Sequence, residues 1–188
     1  MIVKQPLYIV DELAAIVANV STSLLTQLQA VNSTIEGVQY YYGHPKEIID
    51  TLRQKDQSMN YRFAKYPAVC LFQDFSESEG RIIGVASDVR LHIIICYSTD
   101  QNYKASERYA NSFKPILYPI YYALLNEIFK SGKVLASDKD SLPHTKIDRL
   151  YWGRTGLYGN EGNIFDDFLD AIEIQDLQLK FYQPLLCP

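Results

Sequence analysis

The sequence predicts an α+β domain: a mostly antiparallel sheet of about four to five strands, with an N-terminal helix and a long kinked helix packed on one face. Three observations predict it. Apolar residues recur at helical spacing from Leu13 to Ile35. Alternating or β-branched segments cluster at 67–98 and return at 145–152 and 168–182. Between these strand blocks a second helical stripe, Tyr109 to Ile128, is interrupted by Pro115 and Pro119. At 188 residues the chain has the length of one domain, with a helical N-terminal part 9–56, a flexible loop 153–167 and a C-terminal strand 168–182.

The elements follow in order. Leu13, Ile16, Val17, Val20, Leu24, Leu28, Val31 and Ile35 form one apolar stripe, and Gly37 is placed to stop that helix. Pro45 can open a short second helix with Ile48, Ile49 and Leu52 inward. Pro67–Phe75 reads as a strand, Glu77–Gly80 as turn material, and Arg81–Val85 and Asp88–Ser98 as returning strands of an antiparallel meander. Ser98, Thr99 and Asp100 form a capping cluster before a helix running from about Tyr103 to Phe129. Pro115 and Pro119 each remove an internal hydrogen bond, which predicts a kink or two pieces, and Gly132 ends the helix. Thr145–Trp152 alternates as a strand. In the last strand Ile172 and Ile174 are in even phase, but Leu177, Leu179 and Phe181 are in odd phase. A strand's side-chain period is two, so one extra residue near Gln175–Asp176, a β-bulge, is required. Both main helices would cover one sheet face, leaving the other for solvent or a partner.

Composition excludes a disordered or collagen-like chain, with 47% hydrophobic and 21% charged residues. The net charge of −4 is unevenly placed. Residues 1–160 carry 17 basic and 16 acidic side chains, whereas Glu161, Asp166, Asp167, Asp170, Glu173 and Asp176 in the last segment face only Lys180. The clustered basic excess of a nonspecific DNA binder is missing. Cys70, Cys96 and Cys187 lack C-x-x-C spacing and read as free thiols in a reducing cytoplasm. Pro6, Asp11 and Glu12 interrupt any signal-peptide core, and Ile93–Cys96, taken as the most apolar stretch, is far shorter than a membrane span. These features read as a soluble cytoplasmic product.

Candidate chemistry is sparse. His44, His92 and His144 lie in different elements, without the i, i+4 spacing of a zinc site, and His92 reads as a hydrogen-bonded sheet histidine. Asp166, Asp167, Asp170 and Glu173 form the densest carboxylate group, and oxygen ligands suit hard cations. Their spacing lacks the register of a calcium loop, so they read as a solvated or interfacial acidic edge rather than a metal or catalytic site. Gly153-Arg-Thr-Gly156 and Gly159-Asn-Glu-Gly162 lack the lysine of a phosphate-binding loop and read as a mobile loop. The expectation is a protein without catalytic residues, metal or cofactor.

Two features point to protein contact. The chain has 15 tyrosines, with Tyr40, Tyr41 and Tyr42 consecutive, Tyr121 beside Tyr122, and Tyr151 beside Trp152. Tyrosine combines a large rigid ring with a hydroxyl that tolerates a wet boundary, which suits interfaces as well as the edge of a core. Second, Lys130, Lys133, Lys139, Lys146, Arg149 and Arg154 outnumber Asp138, Asp140 and Asp148 just before the acidic segment. Adjacent patches of opposite sign suit a head-to-tail contact between copies, and such contacts close into rings. The expected interface residues are therefore Tyr40, Tyr41, Tyr42, Tyr121, Tyr122, Tyr151, Trp152, Arg154, Asp166, Asp167 and Asp170.

Three segments carry a family resemblance: Tyr66-Pro-Ala-Val-Cys-Leu-Phe-Gln-Asp74, the strand Val89–Ser98 running through Thr99-Asp100 toward the long helix, and Leu169–Phe181. In hydrophobic pattern and element order over residues 60–182 the chain resembles the tail-completion and tail-terminator proteins of tailed bacteriophages, the neck proteins of the head–tail connector. The Gly-Asn-Glu-Gly-Asn-Ile-Phe-Asp-Asp-Phe stretch looks like neck-type proteins of phages infecting gut bacteria. The resemblance implies a non-enzymatic virion subunit, assembled in the host cytoplasm as a homo-oligomeric ring of six or twelve copies. That ring would join portal or head-completion proteins to the tail, with DNA passing through without sequence-specific binding and no membrane involved. The N-terminal helices and the tyrosine run fall outside it. A cytosolic adaptor domain binding one protein partner through the same tyrosines, and a metal-dependent hydrolase using Asp166, Asp167 and Asp170, are the competing readings.

Overall fold

A computed structural model of the chain describes residues 8–56, 64–73, 75–79, 85–135, 142–152 and 167–182. The helices are α1 (Ile9–Val31), α2 (Pro45–Asp56) and a continuous rod made of α3 (Ala105–Arg108), a π-helical segment (Tyr109–Leu117) and α4 (Tyr118–Lys130). The strands are β1 (Gln39–Gly43), β2 (Ala68–Phe72), β3 (Ser76–Glu79), β4 (Val85–Ser98), β5 (Val134–Leu135), β6 (Thr145–Trp152) and β7 (Leu169–Tyr182). The fold is α+β with a mostly antiparallel sheet, as the sequence predicts.

The seven strands stand in five columns. Strands β4 and β7, each 14 residues long, pair antiparallel along their length at the centre. One flank of β4 pairs β2 over Ile93–Cys96 and β3 over Ser87–Arg90. The far flank of β7 pairs β6 and, near Phe181, β5. Strand β1 lies outside β2 and is parallel to it, the one parallel pair among the described strands. The sequence reading missed β1 and β5, and it placed turn material where β3 pairs with β4. The expected strand at Arg81–Val85 falls, apart from Val85, outside the described residues.

Helices α1 and α4 pack on one sheet face, where Val69, Leu71, Leu91, Ile93, Ile172, Ile174 and Leu177 meet Leu13, Val17, Ile116, Ile120 and Leu124 in the main core. Over 23 residues, with mean hydropathy 1.4 in its most apolar window, α1 is long and apolar enough by composition to cross a membrane. It therefore exceeds Ile93–Cys96 as an apolar stretch, and its stripe from Ile9 to Leu28 is buried in this core. The opposite face is not simply open. Ile48, Ile49 and Leu52 of α2 cover Ala68, Cys70, Phe72, Ile94 and Cys96 in a second core. Among the described residues, Asp88, Arg90, Gln178 and Lys180 on the other half of that face are exposed.

Several local signals resolve as physical chemistry demands. Leu91 pairs with Leu177 and Ile93 with Ile174, so two residues of β7 oppose His92 alone. Asp176 takes φ 54, and this bulge produces the phase change read in the sequence. Gly132, at φ 66, follows the C-terminus of α4. His44 precedes α2, and its Nδ1 accepts from the Lys46 N–H at 3.2 Å, while its own N–H donates to Glu47. Helix α1 stops earlier than predicted: Asn32 ends it, and its Oδ1 accepts from Thr34 N–H at 3.0 Å. The Asp100 side chain caps its own turn, through Asn102 N–H, rather than the helix that begins at Ala105. Pro115 and Pro119 do not break the rod: Pro115 lies within the wider π-helical stretch and Pro119 in the first turn of α4 directly after it.

Candidate functional site

The residues expected at an interface separate by burial. Trp152 and Asp170 are fully buried, which corrects their assignment to an outer surface. Tyr41 and Tyr121 are also buried: the Tyr41 hydroxyl donates to Lys65 O and accepts from Lys55 Nζ at 2.8 Å, and Tyr121 Oη meets His144 Nε2 at 2.7 Å. Burial pushes the Tyr40 and Tyr41 phenols well above the ordinary value and pulls the Lys55 ammonium below its own. Tyr42 and Tyr122 are 55% and 65% exposed. Tyr151, at φ 51, lays its ring 3.6 Å from the guanidinium carbon of Arg108. Arg154 and Asp166, with the glycine-rich segment expected to be a flexible loop, lie outside the described residues.

Among the described residues, Asp167, Asp170 and Glu173 are paired within the subunit rather than standing as the solvated or interfacial edge their spacing suggested. Asp167 accepts from Lys65 Nζ at 2.6 Å and from the Tyr66 hydroxyl at 3.0 Å. Asp170 is paired with Arg108 inside the protein. Glu173 accepts from Arg149 Nε at 2.8 Å and Gln175 Nε2 at 2.9 Å, and its Oε1 lies 2.9 Å from His92 Nε2. Burial alone would raise the Glu173 carboxyl, but the donors Gln175 and Arg149 and the neighbouring charges outweigh it and hold the carboxyl below its ordinary range. His92 is thus the hydrogen-bonded sheet histidine that its sequence context predicts. Between the two oppositely charged segments, Arg149 of β6 pairs with Glu173 of β7 inside one subunit, because these strands are sheet partners. Among the described residues no group of three His, Cys, Asp or Glu is placed to hold a metal ion.

Two groups of exposed or half-buried residues lie at the two edges of the sheet and beside them. On β6, Lys146 and Asp148 stand on the helix side, above Ile174 and Ile172. Tyr118 donates to Asp148 at 2.7 Å, and Lys146 Nζ lies 4.6 Å from the Tyr118 ring centre. Burial first, and then the bond to Asp148, push the Tyr118 phenol up to about 12. Tyr118, Pro119, Tyr122 and Leu24 line a shallow hollow of about 610 Å³ between α4 and α1. At the opposite edge Tyr42 stacks on Tyr40, ring centres 6.0 Å apart, and Tyr40 donates to Val10 O of α1. Sequence reasoning counted Lys146 only as part of a basic run and did not single out Asp148. Its available signal was a strand with charged residues on both faces, which marks a sheet edge.

No protein-family model matches the chain, and no curated protein matches it in sequence.

Proposed function

We propose that the chain is a structural, non-enzymatic subunit that assembles head-to-tail with copies of itself into a ring in the neck of a tailed bacteriophage, between the portal or head-completion side and the tail. The observation that carries the assembly is the pair of unlike sheet edges, β1 and β6, at opposite ends of the sheet that the described residues form. A sheet edge offers a row of backbone donors and acceptors to another chain. Two different edges on one subunit make a heterologous contact, which repeats from copy to copy and closes when the rotation allows. The resemblance of residues 60–182 to tail-completion and tail-terminator proteins supplies the virion context. Asp167, Asp170 and Glu173 are each paired with a cation inside the subunit, so these three carboxylates are not the ones that would repel DNA in such a ring.

Light scattering coupled to size exclusion, at high protein concentration, tests the assembly, and mass spectrometry of purified particles tests the location. A closed ring of fixed copy number and a virion-associated chain are expected. A persistent monomer, alone and with its neighbouring gene products, overturns the reading. A one-to-one complex with another protein, absent from particles, favours a cytosolic adaptor instead.

A further inference from the structure

Resting on the ring reading, we infer that the contact between copies is a strand junction: the outer edge of β6 in one subunit pairs antiparallel with the outer edge of β1 in the next, setting Lys146 opposite Tyr42 and Asp148 opposite Tyr40. Strand direction comes first. Strand β2 is antiparallel to β4 and β1 is parallel to β2; β7 is antiparallel to β4 and β6 antiparallel to β7. It follows that β6 and β1 run in opposite directions, and translating one sheet onto the next brings them together as an antiparallel pair.

Backbone orientation comes second. Gln39 N–H donates to Pro67 O and Gly43 O accepts from Gln73 N–H, so the odd residues of β1 turn their peptide groups toward β2. Tyr40 and Tyr42 therefore turn theirs outward, since alternate residues of a strand bond to opposite sides. Thr99 N–H donates to Phe168 O, so even residues of β7 before the bulge face β4 and odd ones face β6. Ala171, Glu173 and Gln175 oppose Arg149, Ile147 and Thr145, which leaves Lys146 and Asp148 pointing outward. The outward residues of both edges are thus Tyr40 and Tyr42 on one and Lys146 and Asp148 on the other.

Sidedness and length agree. All four residues lie on the helix side: Tyr40 packs on the main core with Tyr42 stacked on it, and Lys146 and Asp148 stand over Ile174 and Ile172. The register after Arg149 is broken by Tyr151 at φ 51, so the regular stretch of β6 is Thr145–Arg149. It matches the five residues of β1. In this register Tyr42, 55% exposed as a monomer, gains a lysine neighbour, the same contact that Lys146 already makes with Tyr118. Two outward residues on each strand supply few hydrogen bonds, so a single junction is weak and closure of the ring makes it persist.

The test uses the full chain in a Cys187→Ser background. Tyr42→Cys and Lys146→Cys subunits are mixed and treated with a short thiol-to-thiol cross-linker, because directly opposite residues bring their Cα atoms within about 5.5 Å. Linked dimers are expected from the mixture and not from either variant alone, nor from Lys146→Cys mixed with Tyr122→Cys. A second variant, Lys146→Pro, removes an N–H that points away from β7, so the monomer keeps its fold. Its half-assembly concentration should rise at least about tenfold, roughly 1.4 kcal/mol. Rings that form without the cross-link, or a folded Lys146→Pro that assembles like the parent, overturn the junction and leave the ring reading standing. A parent chain that stays monomeric overturns both.

Discussion

Arg108 and Asp170 form an ion pair inside the protein: Nη1 and Oδ1 are 2.8 Å apart, and neither side chain is more than 1% exposed. The guanidinium also donates to Tyr103 O and Asp100 O, so it ties the start of the long helical rod to the turn before it and to β7. Removing one member leaves the other charged and desolvated, whereas replacing both with apolar residues removes the penalty along with the attraction. Asp170→Asn or Arg108→Met should therefore cost about 3–5 kcal/mol in urea unfolding. The Arg108→Met/Asp170→Leu double variant should cost clearly less than the sum of the two single changes; additive losses would contradict the pairing.

Glu173 gives a pH dependence with a definite sign. Its carboxyl is held below the ordinary glutamate value of 4.5, so the folded protein binds that proton less readily than the unfolded chain. The stability it contributes is complete above pH 4.5 and is lost as the pH falls through the lowered folded value. Urea midpoints measured downward from pH 6 should fall less steeply for Glu173→Gln than for the parent, and identical acid limbs would refute the assignment. At neutral pH the same change should cost about 1–3 kcal/mol, because Arg149 and the Gln175 amide lose a charged acceptor.

Asp176 holds the bulge at positive φ. Aspartate tolerates that conformation better than most residues, and glycine tolerates it freely. Asp176→Gly should be neutral or slightly stabilising. Asp176→Val should lower stability by about 1–2 kcal/mol in thermal or urea unfolding. A neutral Asp176→Val would mean that the bulge lies elsewhere.

Gly37, at φ 148, carries the chain past α1 where an added Cβ would sit 2.5 Å from Ser21 Oγ. That oxygen accepts from Val38 N–H at 2.9 Å, so it has no freedom to retreat. Gly37→Ala should cost about 1–3 kcal/mol from the backbone conformation alone. Ser21→Ala combined with it should relieve the contact but not the conformational cost, so recovery should be partial.

Some of this was legible in the amino-acid order. The bulge in β7 follows from a change of phase between Ile174 and Leu177, because a strand cannot bury both sets without an extra residue. Gly132 and Pro45 mark helix ends through backbone geometry alone. His92 announced its hydrogen bond by standing between Leu91 and Ile93. Strand β1 was not legible, since three tyrosines and a glycine fit a loop, a core edge or an interface equally well until the parallel partner β2 is in place.

The α+β class, the order of the long elements and the phase of each apolar face follow from spacings along one chain, and so could be read before any fold was known. The partners of the charges and tyrosines, by contrast, are set by contacts between distant segments. Whether a carboxylate meets solvent or an arginine depends on which elements become neighbours, and Asp170 meets Arg108 from 62 positions away in the sequence. Likewise Tyr41 and Tyr42 are adjacent in sequence yet on opposite faces of a strand, one buried against α2 and the other exposed at the edge. The alternation of strand side chains fixes that difference, and it takes effect only once the sheet exists.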